Sequence, residues 1–388
     1  MVDVLVIGSG IAGTAAALAL HKAGVRVSVH EAHPDSGADI GAFLTLAGNG
    51  MTALAQFGAD KEVARHGFRL TAMRLTDGSG AEIATSPLGR AEDPLSRYRC
   101  MRRAALCRAL RSEARRRGIE VRHGRRLASA VETAGGVAAT FSDGETVEGD
   151  LLVGADGLGS VVRPLIDPGS VPRRYAGQNI FYGYSTRADP PHTSERIEMI
   201  RGSASSFGYA VSPEGETSWF ARLPGDELPT AEINGAPPEH WRRHLLDTLR
   251  ADTTPAADIV AATDGPAMVT NAYDLPVGGT WHTRRMLVIG DAAHAASPAT
   301  GQGASMALED AVVLAKALRD TDSTAAALSA YDRLRRVLVE GNTQRSAEMT
   351  RGTAHRGRVT PPNGSALKGD QHLDRHMAWH DRLPVADT

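Results

Sequence analysis

Three short stretches hold the residues whose types and spacing could do chemistry. The first, IGSGIAG, supplies Gly8, Gly10 and Gly13. Gly8 permits a tight turn, Gly10 lets the backbone approach a pyrophosphate, and Gly13 lets the next helix sit against its strand. A helix opening at Ile11 and Ala12 would turn free amides and the positive end of its dipole toward phosphate oxygens. Glu31 lies 18 residues past Gly13, at the end of a second apolar run. There a carboxylate can accept hydrogen bonds from ribose hydroxyls and disfavours a 2′-phosphate. The bound nucleotide is therefore expected to be FAD-like or NAD-like rather than NADP.

The second stretch, GADGLGSVVR, ends an apolar run at Asp156-Gly157 and places Ser160 and Arg163 on the next turn. The third, IGDAAHAASPATGQGASMALEDA, begins at Ile289 with a carboxylate at Asp291 and closes on Gly301, Gly303, Ala304 and Ser305, with Pro298 between. A ligand longer than ADP, with a hydroxylated linker and a polar far end, needs a second loop of this kind. FAD has that shape. Asp291 can accept from ribityl hydroxyls, and the helix starting near Gly303 can offer amides to the flavin N1/O2 edge, where negative charge collects on reduction.

The elements that must position these loops are legible around them. VDVLVIG is a β-branched apolar run that reads as a buried parallel strand, residues 12–23 are helix formers, and VRVSVHE is a second strand. Residues 50–58 and 103–117 read as helices, and MLVIGD returns to buried-strand character before two more. Between about 176 and 275 the chain alternates polar and apolar residues and carries half of its aromatics, the pattern of half-buried strands, with a helix at 237–252. The expected fold is α/β: a Rossmann-like nucleotide-binding domain, discontinuous in sequence, with an inserted, mainly antiparallel sheet and C-terminal helices. Residues 1–73, 98–175 and 276–350 are assigned to the first domain, 74–97 and 176–275 to the inserted one, and 351–388 to a tail or helix.

Composition narrows the function classes. A net charge of −2 gives no bulk attraction to nucleic acid or membrane. The ten arginines within residues 102–126 lack interleaved aromatics and read as a solvated helix face, Arg103 excepted. No run approaches the ~18 apolar residues of a membrane span. Cys100 and Cys107 form neither a disulfide framework nor a metal pattern, which suits a cytoplasmic protein. His372, His376 and His380 recur every four residues, a metal-like spacing, but without an accompanying glutamate or cysteine they read as a solvent-facing stripe. No metal is expected.

Taken in order, GSGIAG, GADGLGSVVR and LVIGDAAHAASPATGQGASMALEDA resemble the motifs of the class A flavoprotein monooxygenases, the p-hydroxybenzoate hydroxylase-like aromatic hydroxylases. The resemblance covers roughly residues 2–345. It implies noncovalent FAD, NADPH or NADH as co-substrate, and O2. Asp156 and Arg163 match the segment serving FAD and the passing nicotinamide, Asp291 the ribityl contact, and Pro298 the proline beside the ring. CMRRAAL resembles the family's Arg-x-x-Leu, which gives Arg103 a contact to FAD, and GAFLTLAGNGMTAL resembles the segment under the flavin. Leu127 joins the cofactor contacts. Two positions depart from the pattern. Ala32 stands where the family often has arginine, and Ser305 where it usually has asparagine.

The implied reaction is hydroxylation of an electron-rich aromatic, polyketide- or indole-type small molecule, of the secondary-metabolite kind, through a flavin C4a-hydroperoxide. A general base is not evident, and His294 reads as structural. Phe181, Phe207, Tyr209, Phe220 and Arg222 are the pocket candidates by alternation along the inserted strands, with Arg222 as anchor for an anionic or phenolic group. Two alternatives share the fold: an FAD-dependent reductase of the geranylgeranyl-reductase type and a non-catalytic binding protein.

Overall fold

The computed structural model of the chain describes residues 2–34, 42–89, 98–354 and 376–384. At the centre of the nucleotide-binding part is a five-stranded parallel sheet, in the order Met286–Val288, Leu151–Gly154, Asp3–Ile7, Arg26–His30, Glu120–Arg122. Val4, Val6, Leu152, Val153, Leu287 and Val288 are fully buried, because the central strands are covered on both faces. Burial on both faces explains why they are written as unbroken apolar runs rather than alternating ones. Helix Ile11–Lys22 packs against helices Gly303–Asp320 and Arg103–Arg116. Its Ala15, Ala16, Ala17 and Ala19 let the backbones approach closely.

The inserted sheet has seven strands, ordered Met268–Asp274, Arg174–Ser185, Thr217–Pro224, Ser206–Val211, Arg196–Arg201, Ala72–Asp77, Glu82–Pro87. All neighbours are antiparallel except Arg196–Arg201 beside Ala72–Asp77. One face is covered by helices Pro238–Leu249 and Ala256–Ala261, with Trp219, Trp241, Leu245 and Ile259 in the core between. The other face meets a small sheet of Phe43–Leu46, Tyr98–Arg102 and Phe68–Leu70, through Phe43, Leu70, Cys100, Ile197 and Ala210.

Helix Thr324–Ala354 links the two parts: its Thr350 carbonyl accepts from Gln178 Nε2 in the inserted sheet at 3.2 Å. Residues 376–384 return to the nucleotide-binding part, where Lys316 Nζ donates to the carbonyls of His376 (2.7 Å) and Ala378 (2.6 Å). Trp379 sits there between Lys22 and Arg319. The chain turns at Trp379 and His380, so His376 and His380 do not share one helix face, while His372 lies outside the described residues. Among the described residues no cluster of three or more His, Cys, Asp or Glu could hold a metal, and no helix is long and apolar enough to cross a membrane.

Candidate active site

Three adjacent strands of the parallel sheet end in the three motifs. The register pairs Ile7 with Gly154 and His30, and Gly154 with Val288. Gly8, Glu31, Asp156 and Asp291 therefore follow one carboxyl edge, where open α/β sheets bind ligands.

The first loop is shaped for close approach. A Cβ on Gly13 would lie 1.9 Å from the Gly8 carbonyl oxygen, and one on Gly8, at φ +100°, would lie 2.5 Å from the Ala155 oxygen. At Gly10 a Cβ would meet nothing within 4 Å, so the space over the turn is open. No side chain caps the helix that starts at Ile11, which leaves its first amides for a ligand. Ala12 is half-buried beside Gly290, and Ala32 is half-buried next to Glu31.

Glu31 is pre-set by its own loop. One carboxylate oxygen accepts from Ser9 N (2.7 Å) and Ser9 Oγ (2.9 Å), the other from His33 N (2.9 Å). Burial pushes its pKa up, but these hydrogen bonds outweigh burial and hold it below the usual carboxylate range. An ionised, half-buried carboxylate at this edge is what a ribose diol needs.

Asp156 accepts from Ser160 Oγ (2.6 Å) and from the amides of Val161 (2.7 Å) and Val162 (3.2 Å), so it holds its own turn together. The Arg163 guanidinium donates to the carbonyls of Leu158 (3.0 Å) and Ala292 (2.9 Å). It therefore ties the second motif to the third, and burial lowers its pKa.

Asp291 is exposed, and its carboxylate lies 4.0 Å from where a Cβ of Gly303 would sit. The carboxylate and the start of the last glycine loop thus meet, as a ribityl chain leading to a ring would require. Pro298, Gly301 and Gly303 are exposed and Ala304 half-buried along the same line. Ser305 is buried and accepts from Ala47 N at 3.1 Å. Gly50 approaches so closely that a Cβ there would lie 2.8 Å from Ser305 Oγ. Arg103 is exposed at the start of its helix and near enough to Tyr182 to counter the rise in that phenol's pKa caused by burial. The Leu127 side chain is packed in the main core.

One cluster escaped the sequence reading. Asn49 Nδ2 donates to Glu309 (2.8 Å) and to Gln302 Oε1 (3.3 Å), Arg335 pairs with Glu309 and Asp310 (both 2.8 Å), and Asp310 meets His294 Nε2 (2.6 Å) and Gly290 N (3.0 Å). Glu309, Asp310 and Arg335 are almost wholly buried. The network holds the Gly290 and Gln302 loops from below and gives His294 a structural partner. In the sequence these residues look like ordinary helix-surface charges.

Strand pairing corrects the pocket candidates. Phe181, Ala221 and Phe207 share a register row, and Trp219 is paired with Tyr209. Phe181, Phe207 and Tyr209 therefore lie on the helix-covered face, in the core with Trp241 and Leu245. Alternation separates two faces but does not say which one meets the cofactor domain. Phe220 and Arg222 are on the opposite face, with Tyr182 and Tyr184. That face reaches Phe43, whose ring centroid is 5.9 Å from that of Phe220. It also reaches Arg103 through Tyr182 and the Pro298 corner through Gln178, Thr350 and Ser297.

Comparison with known proteins agrees with this geometry. The family described as FAD binding domain matches residues 1–346. An FAD-dependent urate hydroxylase of Mycolicibacterium vanbaalenii is 32% identical over 99% of this chain and 93% of its own length. The 3-amino-4-hydroxybenzoate 2-monooxygenase of Streptomyces cremeus is 31% identical over 81% of this chain and 77% of its own. Among solved structures, Klebsiella pneumoniae HpxO complexed with FAD and uric acid is 25% identical, covers 97% of this chain and 96% of that one, and superposes with a TM-score of 0.80. A chain that matches over this length, with the three loops on one sheet edge, belongs to the FAD-dependent aromatic monooxygenases, flavoprotein hydroxylases that use FAD with NAD(P)H and O2.

Proposed function

We propose that this chain hydroxylates an electron-rich aromatic small molecule, of phenolic, indole or polyketide type, with NAD(P)H and O2, in a reducing, cytoplasmic setting. The observation that carries the reading is that the aromatic face of the inserted sheet packs, through Phe220, on Phe43 of the small sheet, whose strand leads into helix Gly48–Gln56 against helix Gly303–Asp320 at the third glycine loop. FAD, when bound, supplies the redox and oxygen-transfer chemistry.

The residues present fit FAD. The amides at Ile11 and Ala12 take the pyrophosphate, Glu31 the ribose and Asp291 the ribityl hydroxyls. The free amides after Gly303 would serve the polar end of the flavin, and Arg103 would add a cation. Asp156 and Arg163 are committed to their own turn and to the third motif, so in this role they shape the cleft where the nicotinamide passes. The chain has one dinucleotide fingerprint, and FAD takes it, so the nicotinamide docks transiently. The inserted sheet keeps water from the ring and positions the substrate.

Acid precipitation should release a yellow cofactor that is FAD and not FMN. NAD(P)H oxidation by the protein alone should be slow, and an accepted aromatic should accelerate it while O2 is consumed in step. Labelled oxygen from O2 should enter the product. Product formed at full rate under argon, without label, would refute hydroxylation and point to the reductase alternative.

A further inference from the structure

Three helices that start at the cofactor loops are tied together at their other ends by one short stretch of chain. Helix Ile11–Lys22 begins at the first glycine loop and helix Gly303–Asp320 at the third. Helix Gly48–Gln56 carries Asn49 at its start, bonded to Gln302 of the third loop. Residues 376–384 touch the far end of each. Trp379 N donates to Gln56 Oε1 at 2.8 Å. The Trp379 ring centroid lies 4.5 Å from Lys22 Nζ and 5.2 Å from the Arg319 guanidinium carbon. Arg319 donates to the carbonyls of Trp379 and Asp381, and Leu383 N donates to Asp320 Oδ2 at 2.9 Å. Met377, Trp379 and Leu383 are buried in the main core.

Charge makes this junction more than packing. Burial lowers the pKa of Lys22 and of Lys316, and repulsion adds to it, from Arg117 and Arg319 at Lys22 and from Arg319 at Lys316. Asp320 and Asp381 offset part of the effect at Lys316. Fully buried, the Lys316 ammonium is satisfied by the carbonyls of His376 and Ala378. The Trp379 ring takes up the space between Lys22 and Arg319, where an aromatic π-system attracts both cations. With the segment undocked, the ends of helices Ile11–Lys22 and Gly303–Asp320 face each other as like charges, and a buried ammonium loses two acceptors.

Resting on the seating of FAD across the first and third loops given above, we propose that residues 376–384 are a clamp that positions those loops from the far ends of their helices. Trp379, Lys316 and Arg319 are its positioning residues, and docking of the segment and binding of FAD strengthen each other. The two helices have 12 and 18 residues. At 1.5 Å per residue their ends lie roughly 18 and 27 Å from their starts, so a small change of crossing angle at the clamp moves a glycine loop at the other end. Linkage makes the effect reciprocal: the factor that undocking costs FAD affinity is the factor by which FAD favours docking.

The test uses the full chain, at a temperature where each apoprotein is folded. In the wild-type protein, saturating FAD should slow hydrogen exchange of the amides in residues 376–384 by about fivefold or more. Trp379→Ala should lose about tenfold in FAD affinity, read from the quenching of FAD fluorescence. Trp379→Phe should stay within about threefold of wild type, since it keeps an aromatic ring between the two cations. Leu245→Ala is the control. It opens a hole in the core of the inserted sheet, so it should melt lower and bind FAD as the wild type does. Exchange at 376–384 that FAD leaves unchanged, wild-type FAD affinity in Trp379→Ala, or an equal loss of affinity in Leu245→Ala would overturn the proposal. The exchange measurement needs no variant, and none of the readouts requires turnover. Weakened FAD binding in Asp291→Ala with unchanged exchange at 376–384 defeats the clamp alone. Wild-type FAD binding in Asp291→Ala with FAD-slowed exchange at 376–384 defeats the seating alone.

Discussion

Replacing Asp291 by alanine separates cofactor binding from folding. Its carboxylate is exposed and makes no hydrogen bond to the described residues, so the apoprotein should not register the loss. If it accepts from ribityl hydroxyls, the variant forfeits charge-assisted hydrogen bonds of roughly 1.5–3 kcal/mol, about a ten- to hundredfold loss of FAD affinity. Glu31 makes an instructive contrast. It is bonded to Ser9 N, Ser9 Oγ and His33 N, and Ser9 is 1% exposed. Glu31→Ala therefore weakens FAD binding and also strands a buried amide, at about 1–3 kcal/mol of stability. The assay is the quenching of FAD fluorescence on titration with apoprotein, run beside thermal melts of each apoprotein. Asp291→Ala should shift affinity and leave the melt in place, whereas Glu31→Ala should shift both. Wild-type FAD affinity in Asp291→Ala, or a melt lowered as far as that of Glu31→Ala, would show that Asp291 has been given the wrong role.

Further outcomes follow from the same geometry. Gly13→Ala forces a methyl group against the Gly8 carbonyl, so the protein should take up no FAD and melt well below wild type, as spectra and calorimetry would show. Arg335→Met leaves Glu309 and Asp310 buried without their cation and should cost about 3–5 kcal/mol in denaturant unfolding. His30 is fully buried against Phe141, and burial, with Arg122 and Arg125 nearby, lowers its pKa to about 4. The unfolded chain binds this proton first, so stability should be full above about pH 6.5 and fall as pH drops toward 4. His30→Phe should flatten that slope in melts recorded across the window.

The parts of the fold set by local rules could be read directly. Apolar runs ending in glycine named the parallel strands, and the glycine spacing named the loops, because both follow from backbone geometry over a few residues. What stayed hidden depends on which surface meets which. Phe207 and Phe220 have the same character in the sequence, yet one stacks on Trp219 in the helix-covered core and the other meets Phe43. Asn49 and Glu309 are 260 residues apart, and nothing local marks them as partners. That Arg222 is buried without an ion pair among the described residues is likewise a fact of burial, which an alternating pattern cannot convey.

The strand order has a consequence in time. The edge strand Met286–Val288 lies beside Leu151–Gly154, and the helix that crosses Ile11–Lys22 begins only at Gly303. During synthesis, the first glycine loop leaves the ribosome long before the elements that complete its groove. A nascent chain stalled near residue 200 has the first glycine loop without Asp291, and its inner strand Leu151–Gly154 has an open edge. If Asp291 and the Gly303 loop hold FAD as proposed, its capture is a late event, and free FAD should improve the yield of the finished protein rather than rescue truncated ones.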